Sequence, residues 1–566
     1  MLKNILNKKI LNIKTLFVLI PFIFGLFYDY AVFAVAIMLL GIILAIFIKN
    51  KKIKIYFNYF FITMLILSIS SLLTCIWAVD KQDAIFGFFR IFTVLLFTII
   101  LMQKEAEEVK KIYTIIPIAG IAMVIICVIM RFIPNISEYF YSGNGRLGGF
   151  FQYSNTFALF LLIGITVLMY SEEKIKLKFF KIFMLLAGIL LTGSRTVFLL
   201  TILVYIIYLF TKKEKLEKIK AFSILGIVII LSIIVVAITK NFTTIGRFLT
   251  ISLDSSTLWG RIIYYKDALL LLKNNIFGYG YMGYSYIYPT VQTANYTVKF
   301  VHNDFLQLAL DYGIIPTIIF ITCIGYSIFS KKTDKMQKVI LVTMFLHMII
   351  DFDLQFLVMF LILASMQDLS KQKKFEIVLH KSILIFILLI GLILGYAYLG
   401  IASFANYIDK NDLAISMLSN YTEAKIGLLG NQTNLDRAKT IANKVLESNE
   451  NVAVAYNVKA LYELENQNYE KACIYKEKAI SLDKYNSGEY EDYVVLISKI
   501  LENTVKTNDK QNTNRYIKKV LEIENMIEKT KENTTGLAKR IRDDSNIELN
   551  EQTKKYIENI KGVVEK

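Results

Sequence analysis

Over the first 403 positions, apolar residues come in long runs separated by short polar segments, not in the period-two alternation of a half-buried sheet. About 20 apolar residues cover the hydrocarbon core of a bilayer, and shorter runs are tolerated inside a bundle. Read this way, the chain predicts thirteen spans, near 15–28, 31–48, 56–77, 84–102, 112–130, 153–170, 179–193, 196–210, 221–239, 303–329, 337–350, 354–369 and 382–403. The only long connection between them is 240–302. Beyond residue 403 the long apolar runs stop, and the pattern becomes that of ordinary soluble helices up to residue 566. The predicted fold class is therefore all-α: a polytopic membrane helix bundle of about 12–13 spans over 1–403, followed by an extracytoplasmic α-helical repeat domain over 404–566.

Charge sorts the connections into two sets. Residues 1–14, 49–54, 103–111, 171–181, 211–220, 330–338 and 370–381 together hold 28 Lys and no Arg. The alternate segments 29–30, 78–83, 131–152, 193–195, 240–302 and 351–353 hold ten Lys and Arg in all. An excess of basic residues marks the cytoplasmic side, so the N-terminus is expected in the cytoplasm and, after an odd number of spans, the 404–566 domain outside. Lys3, Lys8, Lys9 and Lys14 precede the first apolar run without a small-residue cleavage site, which reads as an uncleaved span.

Composition agrees. Of 566 residues 55% are hydrophobic and 19% charged, and the formal net charge is +18. Residues 1–403 hold 39 basic and 20 acidic side chains, while 404–566 hold 25 and 26. A surplus of Lys set between runs too apolar for water serves membrane orientation, not nucleic-acid phosphates. A secreted single domain and a disordered chain are excluded as well. Cys75, Cys127, Cys323 and Cys473 show no CxxC or Cys/His spacing, which argues against a zinc site and a disulfide framework.

The chain prefers Lys to Arg by 54 to 10, so each Arg of the membrane body stands out. Lys suffices as an anchor; Arg is needed where a planar fork grips a phosphate or carboxylate at two points. Arg131 and Arg247 suit interfacial anchoring. Arg195, in Thr192-Gly193-Ser194-Arg195 between two spans, suits function. Arg90, inside a span, suits either a ligand role or pairing with a neighbouring carbonyl or Asp. Arg261 opens a short helix of the long outer loop with Tyr264, Tyr265 and Asp267. Downstream, Gly278-Tyr279-Gly280-Tyr281-Met282-Gly283 matches a dinucleotide fingerprint in letters only, since no strand precedes it; a tight turn is expected. His380 lies among cytoplasmic Lys. His347 has Asp351 four positions on, which predicts a structural His–Asp bond along one helix face. His302 ends the outer loop in Val301-His302-Asn303-Asp304, at the level of the outer Arg residues, where an imidazole is suited to accept a proton near neutral pH.

In these residues the chain resembles the O-antigen ligase / O-antigen polymerase superfamily of polytopic membrane proteins, through most of residues 60–370. Gly145-Arg146-Leu147-Gly148-Gly149-Phe150, with Ser154-Asn155 after it, is similar to one family segment, and Thr192-Gly193-Ser194-Arg195-Thr196 to its Ser–Arg turn. Gly260-Arg261 and Gly278-Tyr279-Gly280 resemble the outer-loop arginine helix and glycine turn. His302-Asn303 followed after nine residues by Gly313 is similar to a family signature, and His347 to Asp353 resembles a late-span motif; Pro316 departs from the pattern. The resemblance implies a metal-independent glycosyltransferase without a cofactor, located in a bacterial cell (inner) membrane. Its donor would be a glycan on undecaprenyl pyrophosphate, its acceptor a glycan, lipid or wall polymer. It implies His302 as catalytic base or orienting group with Asn303 positioning it, and Arg195, Arg261 and Arg146 on the pyrophosphate, with Arg90 as a further substrate-binding candidate. No carboxylate cluster in the sequence suggests a Mg²⁺ site, and Arg forks suit charge building on the leaving group.

In 404–566 a 34-residue offset recurs in Leu435/Tyr469, Ala438/Ala472, Ile441/Tyr475 and Val445/Ala479, resembling tetratricopeptide repeats. Such repeats offer a docking surface for a protein partner or an acceptor. Two rival functions are a lipid-linked glycan transporter or flippase, and a non-catalytic membrane scaffold. The first calls for polar residues through the midplane of several spans, which are few here. The second would tolerate loss of His302 and Arg195.

Overall fold

The computed structural model describes residues 17–142, 144–172, 175–211, 214–239, 256–369, 374–377, 383–541 and 547–564. Lys3, Lys8, Lys9, Lys14, Arg247 and His380 lie outside them. The protein is an all-α membrane protein. Its helices, in chain order, begin with α1 (Asp29–Asn50), then after a short strand β1 (Ile53–Tyr56) α2 (Tyr59–Thr74), α3 (Lys81–Met102), α4 (Ala106–Tyr113), α5 (Ile115–Met130) and α6 (Ser137–Phe140). Next come α7 (Ser154–Tyr170), α8 (Ile175–Thr192), α9 (Arg195–Thr211), α10 (Lys215–Thr239), α11 (Ser256–Asn274), α12 (Gly283–Val291), α13 (Asp304–Tyr312), α14 (Ile314–Phe329), α15 (Lys335–Met348) and α16 (Leu357–Met366). After β2 (Lys374–Ile377) follow α17 (Ile383–Tyr407), α18 (Asn411–Met417), α19 (Thr422–Gly430), α20 (Leu435–Ser448), α21 (Ala453–Glu465), α22 (Tyr469–Leu482), α23 (Ser487–Lys506), α24 (Lys510–Glu532) and α25 (Glu551–Val564).

Among the described residues, four helical runs are long and apolar enough to cross a membrane: Asp29–Asn50, Lys81–Met102, Glu108–Met130 and Ile383–Tyr407. Tyr59–Thr74, Ser154–Tyr170, Arg195–Thr211, Ile314–Phe329 and Leu357–Met366 are apolar but shorter. Short helices are tolerated at membrane depth when protein surrounds them. Every residue of α16 is buried, and α7 is buried along its length except at Asn155 and Tyr170. At the other extreme, α17 leans on α1 with Leu389, Tyr396 and Leu399 and turns Ile383, Leu384, Ile387 and Leu394 outward, a surface that water would not tolerate and lipid does.

Two expected spans differ from the reading of the sequence. Residues 15–28 are not one helix in their described part. Two 3₁₀ turns, Ile20–Phe22 and Phe24–Leu26, replace it, with Pro21 opening the first and Gly25 (φ 58°) in the second. A Cβ at Gly25 would stand 2.7 Å from the Phe151 ring, so the segment is shaped by the close approach of that ring. The expected span 303–329 is cut at Gly313, whose φ of 100° ends α13 and turns the chain into α14.

Contacts between connections run within the two sets that charge defines. On the Lys-rich side, β1 pairs antiparallel with β2, Ile53 opposite Ile377. There Gln103 Nε2 donates to Lys54 O (2.7 Å), and Lys178 meets Glu217 at 3.1 Å. On the other side Val79 N donates to Tyr279 O (3.0 Å), and Arg261 reaches Asp351.

Ala414, Tyr421 and Ala424 of the chain after α17 still pack into the core of the membrane body, and the helices that follow build cores of their own, in which α20 and α22 begin 34 residues apart, as do α21 and α23. Their far end rests on the 240–302 connection: Thr535 N donates to Thr293 O (2.8 Å), and the Arg540 guanidinium lies 4.3 Å from the Trp259 ring.

Candidate active site

The glycine turn builds the floor. Gly278 and Gly280 have φ of 86° and 82°, where a Cβ is disfavoured. Their backbone runs along the end of α13: Tyr279 N donates to Leu310 O (2.6 Å), Gly280 N to Asp311 O (3.1 Å), and Ile314 N to Ile276 O (2.9 Å). A Cβ on Gly280 would lie 2.6 Å from that of Ala78. The long connection is thus locked against the start of α3 and the C-terminal end of α13, as the tight-turn reading expects.

His302 precedes α13 with φ 55°, in the left-handed region that costs a side-chain-bearing residue about 1 kcal/mol or more. Three bonds hold it there. Its carbonyl accepts the Tyr265 hydroxyl (2.7 Å). Asn303 caps α13, its Oδ1 accepting from Leu306 N (2.9 Å), while its Nδ2 donates to Ile349 O (2.8 Å). The ring stands edge-on to Phe352, 4.8 Å between centroids. Its Nδ1 lies 3.3 Å from Asp351 Oδ1, with 23% of the side chain exposed. With a carboxylate on Nδ1, that nitrogen carries the proton, and the lone pair is on Nε2.

Asp351 is the hub, and the sequence reading assigned it elsewhere. The expected bond from His347 to Asp351 is not formed: α15 ends at Met348, so four residues on is no longer the same helix face. His347 Nδ1 bonds Asp353 Oδ2 instead (2.5 Å), and Thr156 donates to Asp353 Oδ1 (2.7 Å). Asp351, its side chain 2% exposed, receives five hydrogen bonds. Oδ1 accepts from Tyr153 (2.7 Å), its neighbour Phe352 N (3.0 Å) and His302; Oδ2 accepts from Asn155 Nδ2 (2.7 Å) and Arg261 Nη2 (3.1 Å). Burial pushes the Asp351 carboxyl up, but Arg261 and His302 outweigh it and hold the group well below the usual carboxylate range. Arg261 in turn stays cationic: burial disfavours its charge, and Asp351 more than restores it.

The remaining candidates divide. Arg146 is tied to this hub through Asn155, Nη2 donating to Asn155 Oδ1 (2.7 Å), and its Nε donates to Thr192 O (2.8 Å). Thr192 ends α8; Gly193 (φ 60°) turns the chain, and Arg195, half-buried, is the first residue of α9. One bonded path therefore joins His302, Asp351, Asn155, Arg146 and the Thr192 turn that launches Arg195. Arg90 departs from the expectation of substrate binding. It is buried in α3, where Nη1 donates to Asp29 Oδ1 (2.7 Å) and Phe27 O (3.0 Å), and Nη2 to Gln355 O (2.6 Å). Its fork is spent on the protein. Arg131 lies against the Tyr141 ring at 4.6 Å. Sequence reasoning missed Tyr153, Asn155 and Tyr265 as supports, because their partners are remote in sequence. Among the described residues no three His, Cys, Asp or Glu side chains group as a metal site.

No curated protein and no solved structure matches the chain. Residues 179–321, which include Arg195, Arg261, His302 and Asn303, match the family model of the O-antigen ligase, and this similarity supports a place in that superfamily and a membrane glycosyltransferase-like function in polysaccharide assembly.

Proposed function

We propose that the protein joins lipid-linked glycan to an acceptor hydroxyl on the outer leaflet of a bacterial cell membrane, with undecaprenyl pyrophosphate as the leaving group. The observation that carries the reading is the single carboxylate of Asp351 holding an imidazole and a guanidinium side by side. The acceptor oxygen attacks the anomeric carbon and gives its proton to His302 Nε2. The bond from that carbon to the pyrophosphate oxygen breaks, and the electron pair leaves with the lipid diphosphate. Arg261 and Arg195, with Arg146 behind them, offset the charge that grows on this leaving group. Asn303 fixes the His302 backbone. The basic connections lie in the cytoplasm, and the domain over 404–566, built as tetratricopeptide-like helix pairs, sits outside and presents a surface to an acceptor or a partner protein.

The test is glycan analysis of a deletion strain carrying variants that insert in normal amount. H302A should lower joining by about 10²- to 10⁴-fold, the usual worth of a general base. R195K keeps charge without the fork and should also fail; joining at the parent level by either variant removes that residue from the chemistry. EDTA should leave activity intact. Shortened chains in the deletion strain assign a polymerase, and full-length chains left on the lipid assign a ligase.

A further inference from the structure

Beside the His302 constellation lies a cavity of about 450 Å³, within the size range of ligand sites of about 300–1,000 Å³. The outer ends of α1 and α3, the chain near Lys299, and the first residues after α17 enclose it. Two chemistries line it. The first is aromatic: Tyr28, Tyr30 and Tyr407 cluster with centroids 4.8–5.7 Å apart, and Tyr281, Tyr286 and Tyr421 complete the walls. The second is acidic: Asp29, Asp83, Asp409 and Glu423, with Lys299 on the lining and Arg90 behind Asp29 as the cations. Asp29 is held in place by Arg90, and Asp83 accepts from the Tyr286 hydroxyl (3.3 Å). Glu423 accepts from Asn406 Nδ2 at 3.3 Å. Asn411 also lines the cavity, and it is 5% exposed with a buried carboxamide oxygen that accepts no hydrogen bond among the described residues. A buried acceptor left unbonded is costly, and a donor from a ligand would satisfy it.

Resting on the glycan-joining function, we infer that this cleft is a saccharide subsite for neutral or amino sugars of the chain being joined, and that it rejects sugars bearing carboxylate or phosphate. Tyrosine faces take the C–H faces of sugar rings, and carboxylates accept from hydroxyls and attract an ammonium, which the rings also favour. An anionic sugar would meet the like charges of Asp409 and Glu423 at the rim. The cleft adjoins the reaction centre: Phe300 lines it and lies tilted against Phe352 (5.1 Å), to which the His302 ring stands edge-on. This assigns Arg90 as a positioning residue for the wall of the subsite.

Saturation-transfer NMR on the full chain in detergent tests this, with maltotetraose, chitotetraose, tetraglucosamine and tetragalacturonate as probes. At least one neutral or amino probe should bind, and tetragalacturonate should not. Glu423→Gln and Asp409→Asn, both on the exposed rim, should weaken the amino probe about tenfold and leave elution volume and melting temperature unchanged; Tyr407→Ala should weaken all bound probes. Failure of all three neutral and amino probes, equal binding of tetragalacturonate, or indifference of the Tyr407 variant overturns the subsite. H302A should bind as the parent does, so a fully active H302A sinks the joining chemistry without touching the cleft. With purified donor and acceptor, a rise in KM for one of them alone in Tyr407→Ala says which chain occupies the cleft.

Discussion

At the residue scale the site turns on Asp351. One oxygen orients the imidazole and the other holds Arg261, so replacing it affects both partners. D351N keeps the shape but sets an amide N–H₂ against a donor and leaves a largely buried guanidinium without its counter-ion. Breaking a buried pair in this way costs about 3–5 kcal/mol. Joining should fall by about 10²-fold or more, the order expected for H302A, and the melting temperature in detergent should fall with it. A D351N protein that keeps both would show that the hub is ornamental. The pH dependence follows from the same contacts. The folded carboxyl lies below its unfolded value of about 4. Between the two values the unfolded chain binds more protons, so stability rises with pH there. The contribution is complete above about pH 4 and lost as pH falls through the folded value. Melting temperatures taken down to about pH 3 should show this acid loss in the parent and a shallower one in D351N. His302 and Arg261 stood out in the sequence as rare residue types in a Lys-rich chain, and Asn303 through the resemblance; the structure brings the first two together on Asp351. Asp351 was misread, since spacing along a helix says nothing once the helix has ended.

At the element scale every expected span except 15–28 coincides with helix, and the departures have local causes. Residues 15–28 yield to Pro21 and to the Phe151 ring against Gly25; the run 303–329 yields to Gly313. The second signal was present as glycine followed by Pro316 in the first turn of the next helix, a stop-and-start pattern hidden by continuous hydrophobicity. The first depends on a remote ring and was not readable. The turn at Gly278 and Gly280 carries the clearest mechanical consequence. G280A adds a Cβ at φ 82° and 2.6 Å from Ala78, so both backbone and packing oppose it. A loss of about 1–3 kcal/mol is expected, visible as a lower melting temperature together with reduced joining, because the same turn fixes the end of α13 on which Asn303 and His302 depend. The same change at Gly325, where nothing lies within 4 Å of a Cβ, should be nearly silent.

At the scale of the whole molecule, the distribution of Lys and the pattern of contacts converge. Segments that charge assigns to one face bond one another, and the helices after α17 rest on the 240–302 connection, the opposite group from the Lys-rich strand pair. This arrangement ties chemistry to orientation, since a lipid-linked donor presented outside is useful only if His302 and the terminal domain face that side. Lys332 belongs to the Lys-rich group and Glu450 to the helices that rest on the other group, and both are exposed. Of the native cysteines, Cys127, Cys323 and Cys473 are buried, so removing the half-buried Cys75 leaves a quiet background. In intact cells E450C should react with a membrane-impermeant maleimide, and K332C only after permeabilisation. The reverse order would put the imidazole in the cytosol, where the proposed outer-leaflet transfer has no donor; labelling of both in intact cells would mean that the two groups of connections do not lie on opposite sides of a membrane.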